Sequence, residues 1–276
     1  MGRESVRAAV VQMDVILGDL AGNHARALER LEAAAENGAE FIVFPECANS
    51  GYCFDSIEEA HPFAEPADGA ALARFSQRCG ELGVTGILGF LERDGGEVYN
   101  SAALAVPGKA PAVYRKTHLP TLGIDRFVNK GARLPVFEAP FGRVGILICY
   151  DVRFPEAARS IGLGGADVIA VPTNWPVGAE SAPEFITRSR AWESRAYLTA
   201  ANRVGVERGR RFIGRSQIAS PGGEILCEAG GVEETILYAD LDLSQARQKA
   251  IVHEPGEWEL DITNDRRPEL YGVLTR

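Results

Sequence analysis

The sequence lacks any apolar stretch long enough to cross a membrane. Its longest apolar runs, at residues 86–91 and 145–150, fall far below the roughly 20 residues that a spanning helix needs. It also lacks an excess of positive charge, because 29 Lys and Arg stand against 38 Asp and Glu, for a formal net charge of −9. A negatively charged chain repels phosphate backbones and anionic headgroups, so we expect neither a nucleic-acid nor a membrane partner.

Paired cysteines are lacking as well. The five cysteines form an odd set without a Cys-x-x-Cys pair or the spacing of a disulfide framework or a zinc site. The first residues lack the pattern of a secretory signal, and Val6 stands where the myristoylation pattern requires Ser or Thr. We therefore expect a cytoplasmic protein without a metal site. Its 46% hydrophobic and 24% charged residues are the proportions of a globular enzyme.

What the chain does contain is an alternation of short apolar runs with amphipathic helical segments. The strands are predicted at residues 6–11, 41–44, 84–91, 98–106, 112–114, 144–148, 168–171, 198–201, 216–219 and 235–241. Helices are predicted between the cap Asn23 and Gly38, at residues 70–82 and 153–163, from a capping-box sequence at Ser181 to about Ser194, and after Ser244. Two β-α-β units indicate an α/β fold in one domain, residues 1–276, with a tail from residue 253 that lacks clear periodicity.

Reactive side chains follow three of these strands. Glu46 comes after residues 41–44, Lys116 after residues 112–114 and Cys149 after residues 144–148. Strand ends are where α/β sheets place their sites. A thiol, a carboxylate and an amine are the nucleophile, the base and the oxyanion-stabilising cation of covalent acyl transfer. The pattern therefore indicates acyl-transfer chemistry.

The segments around these side chains carry a specific resemblance. They read Phe-Pro-Glu at residues 44–46, Tyr-Arg-Lys-Thr-His-Leu-Pro at residues 114–120 and Cys-Tyr-Asp-Val-Arg-Phe-Pro-Glu at residues 149–156. In this order they resemble the three signatures of the nitrilase superfamily of carbon-nitrogen hydrolases. Similar stretches follow at residues 172–175, 188–195 and 201–203. The resemblance spans nearly the whole chain and implies a four-layer α-β-β-α sandwich whose chemistry requires no metal and no organic cofactor.

The resemblance also implies a Glu-Lys-Cys triad, which carries over onto Glu46, Lys116 and Cys149. We expect Cys149 to be the nucleophile and Glu46 the general base, which returns its proton to the leaving amine. Lys116 and a backbone N–H, that of Tyr150, would stabilise the oxyanion. The expected cycle is acylation by a small-molecule amide, loss of ammonia or amine, and attack of water on the thioester.

One acidic position differs from the family pattern, because the chain has an aspartate where many relatives have a glutamate. Many relatives carry a second glutamate in the loop between the lysine and the cysteine, where it hydrogen-bonds to the lysine. Residues 122–131 contain no glutamate, and Asp125 is their only acidic residue. A side chain one methylene shorter can take this role only if the backbone lies nearer. We assign the role to Asp125, with an ordinary loop carboxylate as the alternative.

Several other residues near the motifs have two interpretations. Tyr52, Tyr150 and Trp175 are candidates for lining the substrate pocket, although packing explains each of them equally well. The position of His118 inside the lysine motif indicates a structural hydrogen bond rather than catalysis. Asp151 is expected to fix the turn from strand to helix. The four cysteines other than the nucleophile are expected to be small buried hydrophobes.

The residues after Cys149 separate the members of the family by substrate. True nitrilases usually have Trp-Glu there, whereas this chain has Tyr150 and Asp151. N-carbamoyl-amino-acid hydrolases commonly have paired arginines, whereas here Val152 precedes a single Arg153. The pattern is most similar to amidases, so we predict hydrolysis of a small aliphatic or aryl amide. The alternatives are an N-carbamoyl amino acid or amine hydrolase, then a nitrilase, and last a non-catalytic binding protein on the same fold.

The C-terminal segment points to an oligomer. Members of this family form homodimers, often further assembled, with C-terminal segments that cross the interface. Residues 267–272 resemble such a segment. We therefore expect a homodimer or a higher homo-oligomer, with the tail at about residues 253–276 at the interface.

Overall fold

The most apolar runs of the sequence form the central strands of two six-stranded sheets in the computed structural model, which describes residues 3–275. In spatial order, the first sheet contains β14 (Thr235–Asp242), β1 (Ser5–Gln12), β2 (Phe41–Val43), β3 (Thr85–Asp94), β4 (Glu97–Ala105) and β5 (Ala112–Arg115). The second contains β13 (Ile225–Glu228), β12 (Gln217–Ala219), β9 (Tyr197–Asn202), β8 (Val168–Thr173), β7 (Arg143–Ile146) and β6 (Val136–Glu138).

Each sheet has a parallel centre and antiparallel edges. Strands β1, β2 and β3 are parallel, as are β7, β8 and β9. Parallel neighbours need crossover connections, which helices usually supply. The helices are α1 (Leu20–Glu36), α2 (Ile57–Ala60), α3 (Ala70–Leu82), α4 (Pro155–Leu163), α5 (Thr187–Ser194) and α6 (Leu243–Arg247). The two β-α-β units predicted from the apolar runs are therefore present, one in each sheet.

The two sheets pack face to face and carry helices on their outer faces. Val10 of the first sheet and Ile146 of the second belong to one buried core between the sheets. Leu31 of α1 belongs to a second core, on the outer face of the first sheet. On the outer face of the second sheet α4 lies so close that a Cβ on Gly145 would meet Ile161 at 2.1 Å. This order of layers confirms the predicted four-layer α-β-β-α sandwich.

Helix α1 begins earlier than predicted. Asp19, not Asn23, caps it, because the Asp19 carboxylate accepts a 3.0 Å hydrogen bond from the Gly22 N–H. Asn23 lies buried inside the first turn, and its side-chain amide donates to the carbonyl oxygens of Ile16 and Asn49. The predicted cap residue therefore holds two loops against the helix instead.

The starts of α4 and α5 differ from the prediction as well. The capping box predicted at Ser181 is wrong, because this residue already has helical dihedral angles and leads into a π-helical turn, Ala182–Ile186. Its hydroxyl accepts a hydrogen bond from Arg153 instead. Helix α4 begins at Pro155, after a 3-10 turn at Cys149–Arg153. Proline suits this first helical position because the missing N–H has no helical partner there.

The C-terminal segment contains regular structure that its sequence pattern does not show. Asp242, rather than the predicted Ser244, caps α6. Near the C-terminus, β15 (Ile251–Glu254) pairs with β16 (Trp258–Leu260) in a two-stranded ribbon outside the two sheets. Two 3-10 turns, Pro268–Leu270 and Gly272–Thr275, follow. A second such ribbon, earlier in the chain, pairs β10 (Val206–Glu207) with β11 (Arg210–Arg211). Among residues 3–275, no helix combines the length and the apolar composition needed to cross a membrane.

Candidate active site

Strand ends from both sheets bring Glu46, Lys116 and Cys149 together. Glu46 lies three residues beyond β2 and Lys116 directly follows β5, both in the first sheet, whereas Cys149 lies three residues beyond β7 in the second. Glu46 and Lys116 are fully buried, and Cys149 is 6% exposed. Asn174, directly after β8, donates a 2.8 Å hydrogen bond to the backbone carbonyl of Glu46. The second sheet therefore also holds the Glu46 loop.

A glycine allows the Glu46 loop to approach β3. A Cβ on Gly89 would come within 2.3 Å of the Pro45 carbonyl oxygen and 2.7 Å of the Glu46 Cα. The Gly89 carbonyl also accepts a 2.8 Å hydrogen bond from the Ala48 N–H. Any larger residue at this position would displace the loop that carries the carboxylate.

Cys149 starts a tight turn that Asp151 holds in place. Its φ of +47° lies in the left-handed region, which is strained for a residue with a Cβ. The buried Asp151 carboxylate accepts hydrogen bonds from the Ile148 N–H at 2.9 Å, the Tyr114 hydroxyl at 2.8 Å and the His118 N–H at 2.9 Å. This one carboxylate therefore ties the cysteine turn to the strand and loop of the lysine motif.

His118 belongs to this attachment, and its hydrogen bonds go to Thr117 and Asp151 rather than to the three reactive side chains. Its Nδ1 lies 2.7 Å from Asp151 Oδ1. Its ring stacks on Phe154, with 3.9 Å between the ring centroids. The structural hydrogen bond predicted for His118 is therefore present.

The Lys116 ammonium lies between two carboxylates. Its Nζ donates to Glu46 Oε1 at 2.6 Å and to Asp125 Oδ2 at 2.5 Å. Burial alone would lower the pKa of Lys116, but the adjacent Asp125 and Glu46 charges hold that pKa well above its usual value. Lys116 is therefore charged throughout the neutral range, and it fixes both acids in one cluster.

Asp125 reaches Lys116 because its loop packs directly on Tyr52. The residue lies in a 3-10 turn, Gly123–Arg126, and the Tyr52 hydroxyl donates to Asp125 Oδ2 at 2.7 Å. Gly123 has a φ of +50°, and a Cβ there would come 2.4 Å from the Tyr52 ring. The backbone thus lies close enough for a side chain one methylene shorter than glutamate to contact the lysine.

Asn100 is a site residue that the motifs do not reveal. It lies in β4, fully buried, and its Nδ2 donates to Glu46 Oε1 at 2.7 Å and to Asp125 Oδ1 at 2.8 Å. The available signal is that Asn100 and Ser101 are polar within an otherwise largely apolar run at residues 98–106. The sequence alone does not place Asn100 beside the two acids, because its position depends on the register of β4 against β5. In that register Ser101 pairs with Arg115, so Asn100 lies next to Lys116.

Burial sets the electrostatics of the acid and the thiol. It raises the pKa of Glu46, an effect that Lys116 opposes and the nearby Asp125 charge reinforces. Burial, together with the Glu46 charge, raises the pKa of Cys149 to about 12, although Lys116, the Thr173 hydroxyl and a backbone N–H act in the opposite direction. At neutral pH the thiol is therefore protonated, and a base must remove its proton during attack.

The three aromatic candidates occupy different places. Tyr52 contacts the acidic cluster through its hydroxyl. Tyr150, the neighbour of Cys149, is half-buried, and its ring meets Phe154 edge-on at 5.1 Å. Trp175 lies in the core between the sheets, and its indole Nε1 has no hydrogen-bond partner among residues 3–275.

A buried ion pair supports Tyr52 from behind. The Glu207 carboxylate in β10 accepts hydrogen bonds from the backbone N–H groups of Tyr52 at 2.9 Å and Cys53 at 2.6 Å. Arg203 donates to this carboxylate at 2.7 Å, and its guanidinium lies 4.3 Å from the centre of the Phe212 ring. No sequence motif marks Glu207, because the two backbone N–H groups that it binds are about 150 residues away in the chain.

The cysteines other than Cys149 are free thiols in apolar surroundings. Within residues 3–275, no group of three or more His, Cys, Asp or Glu side chains is placed to hold a metal ion. All five cysteines are free. Cys47, Cys53 and Cys79 are buried in hydrophobic cores and Cys227 packs at the margin of one, as expected for small hydrophobic side chains.

Comparison with known sequences identifies similar proteins along the whole chain. The family model described as carbon-nitrogen hydrolase matches residues 7–250. A nitrilase of Pyrococcus abyssi is 36% identical over 96% of this chain and 99% of its own length. An omega-amidase of Xenopus tropicalis is 33% identical over 90% of each chain, and an N-carbamoylputrescine amidase of Solanum lycopersicum is 33% identical over 93% of this chain and 90% of its own.

Comparison with solved structures also identifies carbon-nitrogen hydrolases and amidases as similar proteins. A carbon-nitrogen hydrolase from Helicobacter pylori G27 has a TM-score of 0.87 at 25% identity and covers 99% of each chain. An amidase from Nesterenkonia sp. AN1 has a TM-score of 0.80 at 27% identity, over 99% of this chain and 97% of its own. That structure, of a glutamate variant, shows covalent addition of the acetamide moiety of fluoroacetamide at the active site cysteine.

Proposed function

The chain belongs to the carbon-nitrogen hydrolase family, whose members hydrolyse carbon-nitrogen bonds other than peptide bonds, and we propose that it is a cysteine-dependent amidase. It would convert a small non-peptide amide to a carboxylic acid and ammonia through a thioester. The observation that carries the proposal is the buried cluster in which Lys116 joins Glu46 to Asp125 while the Glu46 and Lys116 charges act on the Cys149 thiol.

Acylation begins with attack of Cys149 Sγ on the amide carbonyl carbon. Because the thiol is protonated at rest, its proton passes to the Glu46 carboxylate as the carbon-sulfur bond forms. Burial raises the pKa of Glu46 and makes it a stronger base than an exposed carboxylate. The same proton then goes to the leaving nitrogen, which departs as ammonia.

The oxyanion needs hydrogen-bond donors that are already in place. Lys116 Nζ has three hydrogens, of which two are directed at Glu46 and Asp125. The third is available for the substrate oxygen, together with the backbone N–H of Tyr150 after the nucleophile. Removing one oxyanion donor typically costs about 3 kcal/mol of transition-state stabilisation, so Lys116 should not tolerate a neutral side chain.

Deacylation uses the same groups with water as the nucleophile. Glu46 accepts a proton from the attacking water, the thioester carbon-sulfur bond breaks, and the proton returns to Cys149. Asp125 and Tyr52 keep the Lys116 cluster in place through both steps. No step needs a group from outside the chain except the substrate and water.

We favour an amide as the substrate because Tyr150 and Asp151 follow the nucleophile where true nitrilases usually have Trp-Glu. An N-carbamoyl compound is the second candidate, favoured by the similarity to an N-carbamoylputrescine amidase. Nitrile hydrolysis ranks third, although the Pyrococcus abyssi relative is named a nitrilase. A binding protein without activity ranks last, because Glu46, Lys116 and Cys149 are all present.

Ammonia release from a panel of primary amides tests the proposal. We expect turnover by the wild type and none by Cys149→Ala, whereas Cys227→Ala, a half-buried thiol in β13, should retain wild-type rates. The panel includes N-carbamoyl amino acids and amines, whose hydrolysis also yields carbon dioxide. Turnover of these alone would favour the second candidate, and activity that survives Cys149→Ala would refute the mechanism.

We also propose that residues 1–276 form one domain that assembles into a homodimer or a higher homo-oligomer through its tail, at about residues 253–276. Large apolar side chains are exposed there, namely Trp258, Leu260, Leu270, Tyr271, Val273 and Leu274. Five free thiols favour a reducing, cytoplasmic location. A mass of one protomer in light scattering would contradict the assembly.

A further inference from the structure

We infer that Asn100 is a positioning residue for this reaction: its amide NH2 holds the Glu46 and Asp125 carboxylates and leaves Glu46 Oε2 as the oxygen that exchanges protons with the substrate. The inference rests on the proposed function and adds a residue that none of the motifs contains. Asn100 would orient the Glu46 carboxylate and help to keep it ionised beside Asp125.

Asn100 and Lys116 each bridge the two acids, and the Tyr52 hydroxyl donates to Asp125 alone. Asn100 Nδ2 carries two hydrogens, and it lies 2.7 Å from Glu46 Oε1 and 2.8 Å from Asp125 Oδ1, so each acid receives one of them. Lys116 Nζ donates to Glu46 Oε1 and to Asp125 Oδ2. Glu46 Oε1 and both Asp125 oxygens are therefore occupied by donors.

The surroundings of Asn100 determine which way its amide points. On the opposite side from the acids, its Oδ1 lies 3.6 Å from Cys47 Sγ, a weak donor. If the amide were rotated by half a turn, its carbonyl oxygen would face two carboxylates and repel both. The strand fixes the residue further, because the Asn100 carbonyl accepts the backbone N–H of Lys116 at 2.8 Å.

This arrangement leaves one atom of the cluster free. Glu46 Oε2 is buried and has no hydrogen-bond partner among residues 3–275. Buried polar atoms are nearly always paired, so an atom with no protein partner is explained by a catalytic role or by an ordered water. Since the other Glu46 oxygen already accepts two hydrogen bonds, a proton from Cys149, water or substrate has to arrive at Oε2.

The same amide keeps the base in its ionised form. Around the Glu46 carboxyl lie the titratable side chains of Lys116, Asp125, Tyr52, Cys47 and Cys149. Burial and the Asp125 charge raise the pKa of Glu46, whereas Lys116 and the Asn100 amide lower it. Loss of the Asn100 hydrogen bonds should therefore raise this pKa further and inactivate the base at a higher pH.

The pH dependence of kcat/KM in three Asn100 variants tests the inference. For Asn100→Ala we expect kcat to fall about ten- to a hundredfold, with KM little changed, and the acid limb to move up by about one pH unit. Asn100→Asp has nearly the same shape but places a third carboxylate against the first two, so it should be impaired at least as much. A packing role alone predicts the reverse, with Asp tolerated better than Ala.

Asn100→Ser is the third variant, chosen for its lower risk to folding. It returns one donor, and its acid limb should fall between those of the wild type and Asn100→Ala. The matched control is Ser101→Ala on the same strand, because the buried Ser101 hydroxyl donates to Glu92, which lies outside the cluster. Its pH profile should equal that of the wild type.

The outcomes distinguish the role of Asn100 from the amidase activity itself. A folded Asn100 variant that hydrolyses amides with the wild-type acid limb would overturn the role of Asn100 and leave the proposed amidase intact. The amidase itself fails only if the wild type lacks turnover or if Cys149→Ala retains it.

Discussion

Replacing Asp125 by asparagine should move the acid limb of the pH profile in the direction opposite to that of the Asn100 variants. The acid limb of kcat/KM reports protonation of the free enzyme's base as the pH falls. The Asp125 charge is one of the causes that raise the pKa of Glu46. Its removal therefore lowers that pKa, and the base stays ionised to a lower pH.

The geometry of the cluster gives the size of the effect. Lys116 Nζ lies 2.6 Å from Glu46 Oε1 and 2.5 Å from Asp125 Oδ2, so these two carboxylate oxygens are at most about 5 Å apart. At an effective dielectric constant of about 20, unit charges about 5 Å apart repel by about 3 kcal/mol, which corresponds to roughly two pH units. The amide NH2 introduced by Asp125→Asn would face the amide of Asn100, and this conflict reduces the expected shift to between about one and two units.

The assay is ammonia release between about pH 4 and pH 9, with the plateau rate and the acid limb fitted separately. We expect a lower plateau, because Lys116 loses a charged partner, and an acid limb displaced to lower pH. Asp94→Asn is the control, since Asp94 is exposed and pairs with Arg115, directly before the lysine. An acid limb that is unmoved or displaced upward in Asp125→Asn would refute the electrostatic coupling between the two acids.

Three further substitutions have defined outcomes. Glu46→Gln should reduce amide turnover at least about a thousandfold, because the leaving nitrogen then receives no proton from a general acid. Mass spectrometry should still detect alkylation of Cys149 by fluoroacetamide. Loss of the Glu46 charge lowers the pKa of Cys149, so the thiol can release its proton to solvent, and the departing fluoride needs no proton from a general acid. Equal losses of both reactions would contradict the role of the base. Gly123→Ala should lower the free energy of unfolding by more than about 2 kcal/mol and abolish activity, because the Tyr52 ring occupies the position of the new Cβ. Gly95→Ala, with φ of +59° and open space around the Cβ, carries the backbone strain alone and should be clearly milder in thermal denaturation. Tyr52→Phe removes a hydroxyl that donates a hydrogen bond to the Asp125 carboxylate. We expect kcat/KM to fall about tenfold or more, while the circular dichroism spectrum stays unchanged. A wild-type rate would exclude the hydroxyl from the mechanism.

The apolar runs predicted an α/β fold, and the family resemblance carried by the three motifs implied its four layers. Strands such as Phe41–Val43 and Val168–Thr173 are buried on both faces, and this requirement leaves a continuous apolar signal in the sequence. The reactive residues follow those runs directly, so their placement at strand ends was predictable. The family, the sandwich and the hydrolase class are confirmed, while the roles within the site stay proposals.

What could not be predicted depends on contacts between distant segments. Asn23 is a residue type that often caps helices, but its side-chain amide donates to two loop carbonyls, and Asp19 caps the helix instead. Strand register and packing bring Asn100 to Asp125, which is 25 residues away in the chain, and Glu207 to Tyr52, which is 155 residues away. The reach of Asp125 required the conformation of a turn, which the residue types alone do not specify.

The division of the reactive groups between two sheets has a consequence for folding. Glu46 and Lys116 belong to the first sheet and Cys149 to the second, and the Asp151 and Asn174 hydrogen bonds join the sheets. Neither sheet alone can position all three groups, so hydrolytic activity can arise only after the two sheets have packed together. During refolding, recovery of turnover should lag behind recovery of secondary structure, so the enzymatic rate measures the packing of one sheet against the other.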